Sequence, residues 1–320
     1  MTDPEVTAAS TATPLVRSSR FRRRSREASL GYLLLLPALF VFGVFIFYPF
    51  FKNFQLATHR TPLFGTGSGE NVGLDQFGDV LGSKEFWKSL WTTVLFALLT
   101  VPAGIILGIL LANLAHQKMK GIGFFRTVFS STIATSVAVA AVIFGTLLSP
   151  VSGLLENIGI DPHPPYLQDP HKIFGVIPVA LLAVAVITIW QNLGLSFILM
   201  SAGLQAVPDE LLEAAEVDGA SGWSRFRNVT IPLLSPTIFF AIVVGSIFAF
   251  QTFGQIDLLT PKGTPAAGQT NVLTYFIVSE LHDSHNPGVA AVLAIALFVV
   301  TLLLTLLQMR FLERRVQYAR

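Results

Sequence analysis

The chain contains no cysteine. That excludes disulfides, thiol catalysis and thiolate metal sites. Charge is scarce as well: Asp, Glu, Lys and Arg make up only 12% of the residues, against about 25% in soluble domains. With 52% hydrophobic residues and a mean hydropathy of +0.64, the composition is that of an all-α membrane protein. Chemical signatures are missing too. No G-x-x-x-x-G-K-[ST] occurs, so the chain has no P-loop with which to hydrolyse ATP itself. No H-E-x-x-H and no carboxylate pair lies within an apolar run, which argues against a hydrolytic enzyme and leaves no catalytic residue to name. His163 and His171 fall in hydrated loops without a further ligand set, so no metal site is expected. The apolar runs hold no Asp, Glu, Lys or His away from their edges. Proton-coupled carriers need such a group, and only sodium coupling through carbonyls keeps an ion-coupled secondary transporter open.

Six apolar runs are present, at about 30–51, 89–115, 124–149, 173–204, 233–256 and 287–311. Each reaches the roughly 20 residues that cross a bilayer as a helix. The first is too long for a signal-peptide core and shows no small-residue cleavage site, so it reads as an uncleaved span. Residues 1–29 are Ser/Thr/Ala-rich and then basic, a disordered tail. The sequence pI of about 9.0 suggests nucleic acid until the charges are placed. Arg17, Arg20, Arg22, Arg23, Arg24, Arg26, Lys118, Lys120, Arg126, Arg225, Arg227, Arg310, Arg314, Arg315 and Arg320 fall on one side of the six alternating runs. Lys52, Arg60, Lys84, Lys88, Lys172 and Lys262 fall on the other. The positive-inside rule then places both termini in the cytoplasm.

The polar stretch 208–236, PDELLEAAEVDGASGWSRFRNVTIPLLSP, lies on the same cytoplasmic side. Pro208 suits a first helical turn, Asp209 and Glu210 favour that end of the dipole, and Leu211 to Val217 are mostly good helix formers. Gly219 is a natural left-handed stop. Ser221 can cap a second short helix, which Pro232 is expected to interrupt. Ala214 and Ala215 let another surface approach the backbone. Glu210, Glu213 and Val217 share a stripe at i, i+3, i+7, where a carboxylate can meet a partner's Arg or Lys. A merely solvated helix fits the composition equally well.

Elsewhere, Gly65-x-Gly67-x-Gly69 lacks the strand-to-helix context of a phosphate cradle and reads as a turn. Trp87 and Trp91 suit a membrane interface. Gly104, Gly108 and Ala112, four apart, form a face that another helix can approach closely, and Pro102 suggests a kink. Ser130, Ser131, Thr132, Thr135 and Ser136 either line a path or bond back to their own helix, the latter for most of them. Asp161 to Tyr166 is a stiff proline-rich loop. Trp190, Gln191 and Asn192 in the fourth run, with Gln251, Thr252 and Gln255 at the end of the fifth, put amides and aromatics inside a membrane. Such groups face either a helix partner or a watery cavity. In the second case they line a solute path. The stretch 271–281 is apolar enough to lie along the interface, and the sixth run packs and faces lipid.

Glu213-Ala214-Ala215, Asp218-Gly219-Ala220, Phe226 and the spaced Pro232 and Pro236 resemble the EAA loop of permease subunits in binding-protein-dependent ABC importers. Val72 to Phe77, Phe86 to Leu90, Phe248 to Asp257 and the tail Gln308 to Tyr318 resemble the carbohydrate, maltose-type class, and within it the glycerol-3-phosphate or glycerophosphodiester permeases. The resemblance spans about residues 30–320. It implies a prokaryotic inner-membrane, multi-pass permease domain of six helices after a tail at 1–29. Glu210, Glu213, Ala214, Ala215, Asp218, Gly219 and Ala220 would form the coupling helix that docks on a cytoplasmic ATPase. The implied partners are a second, similar permease, two P-loop ATPases that bind ATP and Mg, and an external solute-binding protein. The chain itself carries no cofactor and is not an enzyme. The implied solute is sugar-like, glycerol-3-phosphate or a glycerophosphodiester. The runs hold no Lys or Arg away from their edges to meet a phosphate, so a neutral di- or oligosaccharide stays open.

Overall fold

The computed structural model describes residues 31–60, 70–116, 120–149, 159 and 166–316. The N-terminal Arg cluster, Gly65 to Gly69, Lys118, Asp161 to Pro165 and Tyr318 lie outside these. The chain divides into two compact units, residues 1–55 and 56–320.

The first unit is described by helix α1, Gly31–Ala57, with a hydropathy of 2.4 and none of its apolar window buried. A helix that is apolar all round needs lipid or another membrane helix as its surroundings. It widens into a π-helical turn over Gly43–Phe47, where the Tyr48 N–H donates to the Gly43 carbonyl. The wide turn stands immediately before Pro49, which has no N–H to continue the ordinary ladder.

The second unit opens with a two-residue antiparallel pair, β1 (His59–Arg60) and β2 (Glu70–Asn71), and the short helix α2, Asp75–Leu81. Helix α3 then runs 33 residues, Lys84–His116, with Pro102 inside it and no break. At its start Trp87 and Trp91 are exposed, and the Trp87 indole donates to the Leu81 carbonyl at 2.9 Å.

The third apolar run is not the continuous span expected over 124–149. It is two helices, α4 (Ile122–Ser131, extended as a tight turn to Ala134) and α5 (Val137–Leu147), bent by 104°. Its own hydroxyls explain the break. Ser130 donates to the Arg126 carbonyl, Ser131 to Val128 at 2.8 Å and Thr132 to Phe129 at 3.3 Å. Side chains that compete this way for helix acceptors bend helices. Thr135 is then extended, with ψ 121°, and Ser136 caps the new helix by accepting from the Val139 N–H at 3.2 Å.

The fourth run starts later than 173. Lys172–Ile173 (β3) and Ile177–Pro178 (β4) form a hairpin, and α6 is Val179–Gln205, because Pro178 is extended, at ψ 135°, and starts the helix rather than joining it. After α7, Asp209–Val217, helix α8 runs over Gly222–Phe250 without the interruption expected at Pro232. A π-helical turn over Phe226–Thr230 precedes that proline, and Ile231 N–H donates to the Phe226 carbonyl. The shifted ladder absorbs the missing donor. The fifth run also ends at Phe250, not 256. A non-helical link leads to α9, Gly254–Leu259.

The stretch 271–281 packs against the helices rather than standing free. It forms α10, Leu273–His282, with Val272 and Leu273 fully buried, and the Leu273 N–H donates to Thr93 Oγ1 of α3 at 2.8 Å. Helix α11 is Pro287–Leu312. Its first half is buried around Ala291 to Leu293, as expected of a packed span, and its second half exposes Leu302, Leu303, Leu306 and Leu307.

Three apolar clusters follow one another along α3. Ala57, Val80 and Phe86 meet Leu273 and Val292. Phe96 meets Leu181, Val184, Phe250 and Ile256. Ile105, Ile109 and Ala112 meet Phe197, Met200 and Leu234. Gly108 shows why α6 comes so close: a Cβ there would sit 2.9 Å from Ser196 Cβ and 3.0 Å from its backbone carbon. Among the described residues, five helices are long and apolar enough to cross a membrane, and up to six if the bent pair is one span.

The hairpin end carries a pH-dependent contact. Asp169 is buried; it accepts the His171 N–H at 2.8 Å, and His171 Nδ1 lies 2.5 Å from the same oxygen. Burial alone pushes the carboxyl up, but the backbone and ring bonds and the charge of His171 together hold it below its ordinary 3.8. A lowered folded-state value means that this stabilisation is complete above pH 3.8 and is lost as pH falls through the lowered value. Amide exchange of His171 to Ile173, corrected for intrinsic pH dependence, should therefore show protection that is constant at neutral pH and lost only below the ordinary aspartate range. Protection that declines already near neutrality would show that Asp169 is not its source.

Candidate functional site

Five of the six positions expected on a path, the amides and the hydroxyl, meet in one cavity. The cavity has a volume of about 370 Å³ and lies between α3, α6 and α8, with the start of α9 at one end. Gln191 and Asn192 reach it from α6, Gln251 and Thr252 from the link after α8, and Gln255 from α9. The expectation fails for Trp190. It does not line the cavity and instead packs edge-on against Phe144 of α5, ring centres 4.9 Å apart. Trp190 stands about 200° around the helix from both Thr188 and Asn192, which line the cavity, and so falls on the opposite side.

The hydrogen bonds divide these side chains by freedom. Gln191 is buried, with 9% exposure. Its Nε2 donates to the Thr135 carbonyl at 3.3 Å, and its Oε1 accepts from Gln255 Nε2 at 3.3 Å. Asn192 is exposed to the cavity, and its Nδ2 donates to the Thr188 carbonyl one turn back at 3.0 Å. Thr252 is buried and its hydroxyl bonds back to Phe248 at 3.1 Å, while Thr274 of α10 donates to its carbonyl. Gln251 is exposed. The rest of the lining includes Thr100, Gly104, Val137, Ser196, Gly245 and Phe248. It is a neutral surface of amides, hydroxyls and apolar walls, suited to a hydroxyl-rich molecule. Of the third-run hydroxyls, Ser130, Ser131 and Thr132 bond mainly to their own helix.

The polar stretch folds as its sequence suggests up to Pro232. α7 is followed by Gly219 at φ +78°. The Asp218 N–H donates to the Ala214 carbonyl and the Ala220 N–H to Ala215, each at 3.0 Å. Ser221 Oγ accepts from Ser224 N–H at 3.3 Å. The helix has no buried residue, so Glu210, Ala214, Asp218 and Gly219 are open, with Ala215 and Ala220 half-buried. Glu213 differs from Glu210 in its surroundings. With Asp209 and Glu216 it lines a groove of the chain itself, opposite His116, Arg126 and Arg225. Val217, on the flank that Glu210 and Glu213 share, is 87% exposed. Reasoning from sequence missed the brace behind this helix: Arg225 pairs with Glu216, and Arg126 donates from Nε and Nη2 to the Ala115 carbonyl at 3.1 and 2.7 Å. The opposite charges of Glu216 and Arg225 were visible, but a pairing nine residues apart depends on the left-handed turn between them.

The family of binding-protein-dependent transport system inner membrane components matches residues 78–318. The sn-glycerol-3-phosphate transport system permease protein UgpA of Agrobacterium fabrum is 36% identical over 294 residues, covering 90% of this chain and 96% of that protein. The trehalose/maltose transport system permease protein MalF of Thermococcus litoralis is 32% identical over 293 residues, covering 89% and 94%. Among solved structures, a chain of a bacterial ABC transporter that imports alginate superposes with a TM-score of 0.76 at 23% identity, over 92% of this chain and 99% of that one, which supports the fold. The match over three quarters of the chain, the apolar helices and the full-length relatives agree: the chain belongs to the binding-protein-dependent inner membrane components, the multi-pass, non-catalytic permease subunits of ABC importers.

Proposed function

We propose that this permease forms half of the translocation path of an ATP-driven importer for a hydroxyl-rich, sugar-like solute. The cavity between α3, α6 and α8 would receive the solute, and its amide lining is the observation that carries the reading. Glycerol-3-phosphate or a glycerophosphodiester is the leading solute, because UgpA proteins from several organisms are similar over the full chain. A neutral di- or oligosaccharide is the second reading. It is favoured by the absence of Lys and Arg from the described lining and by the trehalose/maltose relative.

In this reading the bent pair α4–α5 counts as one span, giving six over residues 30–320, and both termini are cytoplasmic with the basic tail 1–29, as the charge bias argues. The loop 208–236 then faces the cytoplasm. There Glu210, Glu213, Ala214, Ala215, Asp218, Gly219 and Ala220 dock on one of two P-loop ATPases, which bind ATP and Mg. A second permease completes the cavity, and an external binding protein delivers the solute. A structure similar to this chain in fold is that of an alginate transporter in complex with its periplasmic protein.

Two measurements test the proposal together. Gentle extraction of the tagged chain from its native membrane should co-purify a P-loop ATPase and a second permease; the chain alone under several mild conditions would favour a secondary carrier. In uptake assays with sn-glycerol 3-phosphate, trehalose and maltose, Gln251→Ala should raise the apparent KM about fivefold, the worth of roughly 1 kcal/mol for one neutral hydrogen bond. An unchanged KM for the transported solute would remove Gln251 from the path.

A further inference from the structure

We propose that Gln191 is a positioning residue that links occupancy of the cavity to movement of α5 and α9 about the break at Thr135–Ser136; this rests on the solute reading of the cavity given above. The break is held on its two sides in different ways. On the α4 side the grip is tight. The Gly194 N–H donates to Thr132 Oγ1 at 2.8 Å, and a Cβ at Gly194 would stand 2.8 Å from the Ile133 nitrogen and 3.0 Å from the Ser130 carbonyl oxygen. Two helices in backbone contact cannot slide past each other without a clash.

On the α5 side α6 reaches the break itself through one amide, while further along α5 Trp190 packs against Phe144. Gln191 Nε2 reaches the Thr135 carbonyl at 3.3 Å, and Gln191 Oε1 takes the Gln255 amide at 3.3 Å. Both bonds are longer than the usual N–H···O range of about 2.7 to 3.2 Å. Gln255 opens α9, and α9 lies along α5: a Cβ at Gly254 would meet Val137 Cγ1 at 3.1 Å, and one at Gly145 would meet Leu259 Cδ2 at 3.9 Å. α5 and α9 are thus one packed pair, and Gln191 ties both members of it to α6.

Gln191 and Gln255 both line the cavity. A hydroxyl that enters can take the Gln191 oxygen, the Gln255 N–H, or both, at ordinary hydrogen-bond length. The long Gln191–Gln255 bond is the one it displaces, because a buried amide loses nothing when its partner is exchanged for an equal one. The polar tie of the α5–α9 pair to α6 then runs through the solute, beside the apolar contact of Trp190 with Phe144. Cavity occupancy becomes a change in where the pair sits, while α4 stays clamped at Gly194. A ligand biases a conformational equilibrium only through such differential contacts.

The test uses the full chain in its importer assembly in native-membrane vesicles. ATP hydrolysis is measured with and without sn-glycerol 3-phosphate, trehalose and maltose. Gln191→Glu keeps an acceptor for Gln255 but has no N–H for Thr135. It should lower the ratio of solute-stimulated to basal hydrolysis by about tenfold, within the range of ordinary allosteric couplings, while the apparent KM stays within about threefold of wild type. Gln255→Ala removes both a solute contact and the α9 end of the link, so it should raise KM and lower the ratio together. The inference is overturned if Gln191→Glu shifts only KM, if it matches wild type, or if it merely prevents assembly. Because the chain has no cysteine, Val142→Cys on α5 and Val186→Cys on α6, both exposed, give unique spin-label positions on it. Their distance distribution should broaden in Gln191→Glu before any solute is added, and an unchanged distribution overturns the inference by itself. Wild-type vesicles that respond to none of the three solutes would sink the solute reading, and the label distances would still decide whether Gln191 holds the pair.

Discussion

Gly194→Ala is expected to cost about 2–3 kcal/mol and to abolish uptake, the upper end of what overpacking does to a filled interior. The added methyl would meet Thr132 Oγ1 at 2.7 Å, the Ile133 nitrogen at 2.8 Å and the Ser130 oxygen at 3.0 Å. Two of these are backbone atoms of the break and cannot rotate aside. Relief requires α4 to move off α6, which removes the Gly194–Thr132 bond and opens the contact between Phe129 and Phe197, whose ring centres are 5.7 Å apart. Thermal unfolding of the purified chain in detergent would show the loss as a lowered midpoint. Gly203→Ala is the control. Of its three nearest neighbours, Leu234 Cδ1 and Thr237 Oγ1 at 2.5 Å are ends of side chains that can turn, and Thr237 Cβ at 2.9 Å is the one fixed atom, against two at Gly194, so a smaller loss is expected. Equal losses would show that the backbone at the break is not the rigid element.

Gly219→Val is expected to reduce uptake about 30-fold with little change in the stability of the transmembrane helices. Gly219 sits at φ +78° with nothing within 4 Å of a Cβ, so the penalty is conformational and not steric crowding by neighbours. For an L-residue the left-handed region costs roughly 1–2 kcal/mol, more when β-branched, and about 2 kcal/mol corresponds to a population shift of some 30-fold. The turn decides where α7 points relative to Ser221 and Arg225, and the pairing of Arg225 with Glu216 exists only while it holds. Glu213→Ala separates the two roles of this stretch. It leaves the turn intact and removes a carboxylate from the flank proposed to meet the ATPase, so ATPase association should weaken while α7 stays folded. Full transport by Gly219→Val would mean that the left-handed turn is dispensable to coupling. Unchanged association by Glu213→Ala would assign that carboxylate to the groove with Arg126 instead.

The glycine at 219 was legible from the sequence because a local conformational demand leaves a local signature. The same holds for the cap at Ser221, and for the near approach at Gly104, Gly108 and Ala112, where spacing by four states which face is smooth. The break in the third run was not legible. Ser130, Ser131 and Thr132 announced bonds to their own helix, but whether those bonds bend a helix by a few degrees or by 104° depends on what holds the far side. Here that is Gly194 and Gln191, some 60 residues away. Pro232 misled for the opposite reason: a proline reads as an interruption, and a π-helical turn upstream cancelled it.

Composition and run lengths were enough to determine a chain of membrane-crossing helices, because hydrophobic length is read over neighbouring residues; the polar loop pointed to an importer permease only through its resemblance to the EAA loop. The tertiary structure alone decided that Gln191, Asn192, Gln251, Thr252 and Gln255 share one cavity while Trp190 leaves it for Phe144, and that the third run is bent by 104°. Those outcomes depend on how α3, α6 and α8 pack side by side, and contacts between residues 50 to 180 positions apart leave no periodic trace in a single sequence.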